Sequence, residues 1–160
     1  MLFLLKIICV CCLLAIITQD FRERKVYLSL LISLALVMAL FYYLKSDTQL
    51  YLSNISMNLT VLLVLMGVLF LYSKFKLKQD FNTALGLGDI LFFIVIAVSF
   101  PIATFLILFS CSLIFTLIIF LFIKPSLKDK NVPLAGLQAL FFLFIFSLNW
   151  MFEFTNLYMY

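Results

Sequence analysis

Histidine is absent from this 160-residue chain, and charge is scarce, with Asp, Glu, Lys and Arg together making up 11%. Without imidazole there is no His-based catalytic triad, no histidine-ligated haem and no ordinary zinc site. The shortage of charge excludes more. A soluble domain is about a quarter charged and about half apolar, whereas this chain is 67% hydrophobic with a mean hydropathy of +1.28. A globule of this length cannot hide so much apolar surface from water, so the surrounding solvent is a lipid bilayer. A soluble enzyme, a nucleic-acid-binding domain and a disordered tail are thereby excluded. Cysteine is sparse too. Cys9, Cys11, Cys12 and Cys111 lie in apolar runs without C-x-x-C spacing, which marks them as small apolar fillers and not as a metal or redox site. Neither a metal nor a cofactor is expected.

What remains is long apolar sequence, cut by charges and turn formers into about six segments of spanning length. They run from about Leu2 to Thr18, Val26 to Leu44, Met57 to Ser73, Thr83 to Ser99, Ile102 to Ile123 and Leu134 to Phe152. No charge occurs between Ile90 and Ile123, a stretch too long for one span. Pro101 breaks it, because proline lacks an amide donor and disfavours helix in the residue before it. The expected fold is an all-α polytopic membrane protein, a bundle of about six transmembrane helices forming a single domain over residues 1–160. The first segment reads as a retained helix, since charged sequence and not a small-residue cleavage site follows it. The sixth segment ends near Trp150 and Glu153, and Tyr158 and Tyr160 suit an interfacial position.

The basic residues orient the bundle. Arg22, Arg24 and Lys25 separate the first two segments, Lys74, Lys76 and Lys78 the third and fourth, and Lys124, Lys128 and Lys130 the last two. Only Lys6 and Lys45 fall on the other side. Excess Lys and Arg marks the cytoplasmic face, so both termini are expected outside. This placement accounts for the net charge of +4 without an anionic partner.

Five of the seven acids, Glu23, Asp47, Asp80, Asp129 and Glu153, fall in loops or tails and read as solvated charge. Asp20 and Asp89 do not. Asp20 ends the first segment on the cytoplasmic side, and Asp89 is expected about five residues inside the fourth, roughly 7 Å along its axis. Both approach the same leaflet at similar depth, where a carboxylate costs a few kcal/mol and marks function by default. Gly86 and Gly88, two of only four glycines, precede Asp89 in Ala84-Leu85-Gly86-Leu87-Gly88-Asp89. Glycine here either admits a second backbone beside the acid, as handling an extended peptide would need, or serves close helix packing.

Gly86-Leu87-Gly88-Asp89 is a G-x-G-D motif, and Asp20-Phe21-Arg22-Glu23-Arg24-Lys25-Val26 is similar to a D-x-R-x-R-x-I-P segment. Val132-Pro133-Leu134-Ala135-Gly136 is similar to an I-P-F-G-P lead-in to a last helix. In these three pieces, taken in order, the chain resembles the prepilin peptidase (type IV leader peptidase) family of G-x-G-D membrane aspartic proteases. The resemblance implies Asp20 and Asp89 as catalytic acids, with Gly86, Gly88, Arg22, Arg24 and Pro133 as motif support. It implies a prepilin-like membrane protein as substrate, bearing a short basic leader cut at the cytoplasmic face of a bacterial inner membrane. Two positions depart from the family: its proline is Tyr27 here, and its lysine after the G-x-G-D acid is Leu91. The cytoplasmic insertion with paired C-x-x-C motifs is missing as well, so no methyltransferase activity is expected.

Two carboxylates brought close in a low-dielectric site do not both ionise easily, so such a pair shares a proton. One member then acts as general base to a water and the other as acid to the leaving amine. Two other readings stand beside this one: a small transporter or proton relay using the same acids, and an inactive structural relative. Asn54-Ile55-Ser56 and Asn58-Leu59-Thr60 match the N-x-S/T glycosylation pattern and read as chance.

Overall fold

The structure, a computed structural model, describes residues 2–77, 86–123, 133–152 and 157–158. The expected helix start at Thr83, together with Lys78, Asp80, Lys124, Lys128, Asp129, Lys130, Val132, Glu153 and Tyr160, lies outside these residues. Among the described residues the chain forms six α-helices: α1 (Leu2–Glu23), α2 (Leu28–Tyr43), α3 (Thr48–Tyr72), α4 (Leu87–Ser99), α5 (Ile102–Ile123) and α6 (Leu134–Phe152). A π-helical turn, Ser73–Leu77, continues α3. The protein is an all-α polytopic membrane protein. Three spans, Phe3–Glu23, Thr48–Phe75 and Ile102–Ile123, are long and apolar enough to cross a bilayer, and the other three helices carry shorter apolar stretches. The last two helices coincide with the segments expected for them.

Three boundaries differ from expectation by more than two residues, each for a local reason. Helix α1 continues past Thr18 to Glu23 and closes on Arg24, which adopts the left-handed conformation (φ 54°). The Arg24 amide bonds to the Asp20 carbonyl at 3.2 Å, the single-bond form of a helix C-terminal cap. Helix α3 begins at Thr48, well before Met57, because its polar first half has partners. Asn54 Nδ2 donates to the Tyr42 hydroxyl, and Asn54 Oδ1 accepts from the Ile102 amide. Helix α4 begins at Leu87, after Gly86 in extended conformation (φ −70°, ψ 145°). Asp89 therefore stands in the first turn of its helix, not five residues inside it.

The break between α4 and α5 is built from the sequence upward. Pro101 has no N–H, so the Ala97 carbonyl four residues earlier loses its helical donor. Asn58, fully buried on α3, supplies the replacement: its Nδ2 lies 2.8 Å from both the Ala97 and the Phe100 carbonyls. The two asparagines of the N-x-S/T patterns thus belong to the packing of α3 against this break.

Helix α1 packs on α6 and α2, α2 on α4, α3 on α4 and α5, and α5 on α6. Small residues on α6, Ala135, Gly136 and Ala139, are buried and let α1 approach closely. Aromatic rings fill the interior: Phe100, Phe142, Phe146 and Trp150 form a run of ring contacts 5.6–6.1 Å apart. Tyr158, expected at the interface, joins it through Phe100 at 5.8 Å. Buried Cys9 and Cys12 fill space inside the bundle, and Cys11 and Cys111 face outward; none is disulfide-bonded. Leu63, Ile107 and Phe122 stand on the outer surface, as lipid-facing side chains do.

Candidate active site

Asp20 belongs to the last turn of α1, Asp89 to the first turn of α4, and α6 begins beside both. The start of α6 explains why they meet. A helix leaves its first amides without internal partners. Pro133 precedes Leu134 and has no amide to satisfy, and its carbonyl takes the first helical bond, from Leu137 at 3.1 Å. The next amides point outward and meet the two acids. The Ala135 N–H donates to Asp89 Oδ1 at 2.9 Å, and the Gly136 N–H donates to Asp20 Oδ2 at 2.6 Å. Successive amides are separated by at most about 3.6 Å of backbone, so two carboxylates from distant parts of the sequence share one end of the bundle. The positive end of the α6 dipole favours anions there.

Burial sets the environment. Asp20 is only 7% exposed, and Asp89 is half-buried. Arg24 lies close enough to act electrostatically on Asp20, whereas Arg22 is exposed. The glycines are not equivalent. A Cβ on Gly86 would come 3.1 Å from Asp89 Oδ2, a tight contact, while one on Gly88 would meet only Val26, at an ordinary 3.8 Å. A Cβ on Gly136 would come 2.9 Å from Asp20 Oδ2 and 3.0 Å from Asp20 Cβ, distances at which something must move.

Of the residues picked from the sequence, the structure brings together Asp20, Asp89, Gly86, Gly88, Arg24 and Pro133. Arg22 is on the exposed surface. Sequence reasoning gave no role to the Ala135 and Gly136 amides, although the signal was present: a proline followed within three residues by two small ones at a helix start. Tyr27, in the family's proline position, keeps a proline-like φ of −68° and ψ of 130°, and its amide donates to Gln19 Oε1 at 3.2 Å. Among the described residues no cluster of cysteine and carboxylate side chains could hold a metal ion. Chemically, one buried and one half-buried acid, each fixed by a backbone donor at the start of α6, can hold a water and move protons to and from it.

Comparison with known proteins agrees in kind. No curated protein and no solved structure matches the chain. The model of the type IV leader peptidase family matches residues 7–121, a range that includes Asp20 and the Gly86–Asp89 motif and stops before α6. On a match over more than half its length, the chain belongs to the type IV leader peptidase family, and is a peptidase by that membership.

Proposed function

We propose that this protein is a membrane-embedded aspartic endopeptidase that removes short basic leaders from prepilin-like substrates. Asp20 and Asp89 are the catalytic pair. They share one proton; the ionised member takes a proton from water, and the water oxygen attacks the scissile carbonyl. The protonated member hydrogen-bonds that carbonyl and then supplies a proton to the leaving amine. Which acid plays which part is a property of the pair, since coupled groups titrate together.

One observation carries this function: the two acids accept hydrogen bonds from consecutive amides, Gly136 and Ala135. A proton relay would string its acids along the depth of the membrane, and a structural relative would have no use for two carboxylates held side by side out of bulk water. The family match is the independent support. Arg24 beside Asp20 and the exposed Arg22 and Lys25 put positive charge at this end of the bundle, in keeping with a cytoplasmic face at a bacterial inner membrane and both termini outside. The substrate's apolar helix lies in the bilayer alongside, unwound locally to present a peptide bond.

Co-expression with pilin-like proteins encoded by neighbouring genes tests the function, with leader loss read as a mobility shift and located by mass spectrometry. Cleavage between the basic leader and the apolar segment is the expected result. Uncleaved substrate in the presence of inserted, intact protein would contradict it.

A further inference from the structure

Gln138 lies on α6 three residues after Ala135, is fully buried, and among the described residues has no hydrogen-bond partner for either its Nε2 or its Oε1. Thr116, on α5, is 2% exposed, and its hydroxyl likewise has no partner among the described residues. Such groups are rare, because a buried polar atom without a partner costs the whole of its desolvation. Their two helices pack together along one seam. Phe115, next to Thr116, touches Phe141, one turn along α6 from Gln138, with ring centroids 5.4 Å apart.

The seam runs beside the acids. Residues three apart share a helix face, and side chains lean toward the helix N-terminus. Gln138 therefore leans over Ala135, whose amide holds Asp89. On the other flank, Phe142, one turn after Gln138, meets Phe92, one turn after Asp89, at 6.2 Å. Position 138 is thus bracketed by contacts to α4 and α5, one turn into the bundle from Asp89.

A carboxamide presents a donor and an acceptor side by side, the complement of a single peptide group. A helical substrate has no peptide group to offer, because its own are paired. A segment unwound within the membrane has several, and in lipid each must find a protein partner. We propose that Gln138, with Thr116, is the subsite that binds the backbone of the substrate's unwound segment, pairing through its carboxamide with a peptide group next to the scissile bond. The assignment rests on the peptidase function proposed above. It gives the unpartnered atoms of Gln138 and Thr116 a ligand class that lacks the same bonds they lack.

The test uses the full-length protein in detergent micelles. The probe is a synthetic peptide with a basic leader joined to an apolar spanning helix, and binding is followed by fluorescence anisotropy on an Asp89→Asn background so that cleavage plays no part. Gln138→Leu and Thr116→Val are compared with that background, together with their melting temperatures. Removing an unsatisfied buried polar group in favour of an apolar one of similar volume does not destabilise a fold. The expected result is binding weakened about tenfold or more by Gln138→Leu, and less by Thr116→Val, with melting temperatures equal to or above the background. Equal binding with and without Gln138, whether tight or absent, overturns the assignment. So does a fall in melting temperature that tracks the fall in binding, which would make Gln138 a structural residue. Failure of the acid pair would show separately, as leader removal by an otherwise wild-type Asp89→Asn protein.

Discussion

Gly136 and Asp20, 116 residues apart in the sequence, touch so closely that no added carbon fits between them. The Gly136 amide donates to the carboxylate at 2.6 Å, and a Cβ at position 136 would come 2.9 Å from the same oxygen. Glycine here serves an approach of helix to acid, since no glycine in the described residues needs a positive φ.

That contact ranks the glycines in an order that the G-x-G-D motif alone would not suggest. Gly136→Ala displaces Asp20 and is expected to cut leader removal about a hundredfold, the scale of a displacement near 1 Å at a reacting group. Gly86→Ala, facing Asp89 Oδ2 at 3.1 Å, is expected to cost less, and Gly88→Ala, with only Val26 at 3.8 Å, least of all. Initial rates of leader removal at matched expression check the order. Near-wild-type activity in Gly136→Ala would mean that Asp20 is not held where the reaction needs it.

Asn58 is expected to be a stability residue with no part in the chemistry. Asn58→Leu leaves the Ala97 and Phe100 carbonyls without their donor, a cost of about 2–4 kcal/mol when two buried acceptors lose a partner. Thermal unfolding in detergent should show a lowered transition, with leader removal per folded molecule preserved.

Tyr27→Pro is expected to be tolerated. The backbone at Tyr27 already has proline's φ of −68°, so the substitution gains about 0.4–1 kcal/mol from the unfolded chain and gives up one bond to Gln19. The two effects are of similar size, and stability should move by less than about 1 kcal/mol. A large loss of stability or activity would show that the Gln19–Tyr27 contact holds the acid-bearing end of α1 in place.

Much of this architecture could be read from the chain because the relevant signals are local. Uninterrupted apolar length gave α5 and α6, and Pro101 gave the break between α4 and α5. Asp20 and Asp89 stood out because acids are rare beside so much apolar sequence. The start of α3 was illegible, since the bonds that make Asn54 and Asn58 acceptable in a helix come from Tyr42, Ala97, Phe100 and Ile102, none of them neighbours in sequence. The depth of Asp89 was misjudged because Gly86 could equally lie within a helix or cap one. The holding of both acids by α6 depends on backbone amides, which carry no side-chain signature at all.

Orientation has its own test. With the four native cysteines replaced, single cysteines at positions 47 and 126 should react with membrane-impermeant reagents from opposite sides of the membrane, position 126 from the cytoplasm. Labelling of both from one side would remove the basis for a cytoplasmic active site.

Replacing each acid in turn tests the central claim most directly. Asp20→Asn and Asp89→Asn keep size and burial while deleting the ionisable proton, and an Asn side chain can still accept the Gly136 or Ala135 bond. Measured as leader removal from a co-expressed prepilin, with insertion verified in the same membranes, each variant is expected to abolish processing. Processing at the wild-type rate by either one would contradict the shared-proton mechanism and leave the pair without a catalytic role.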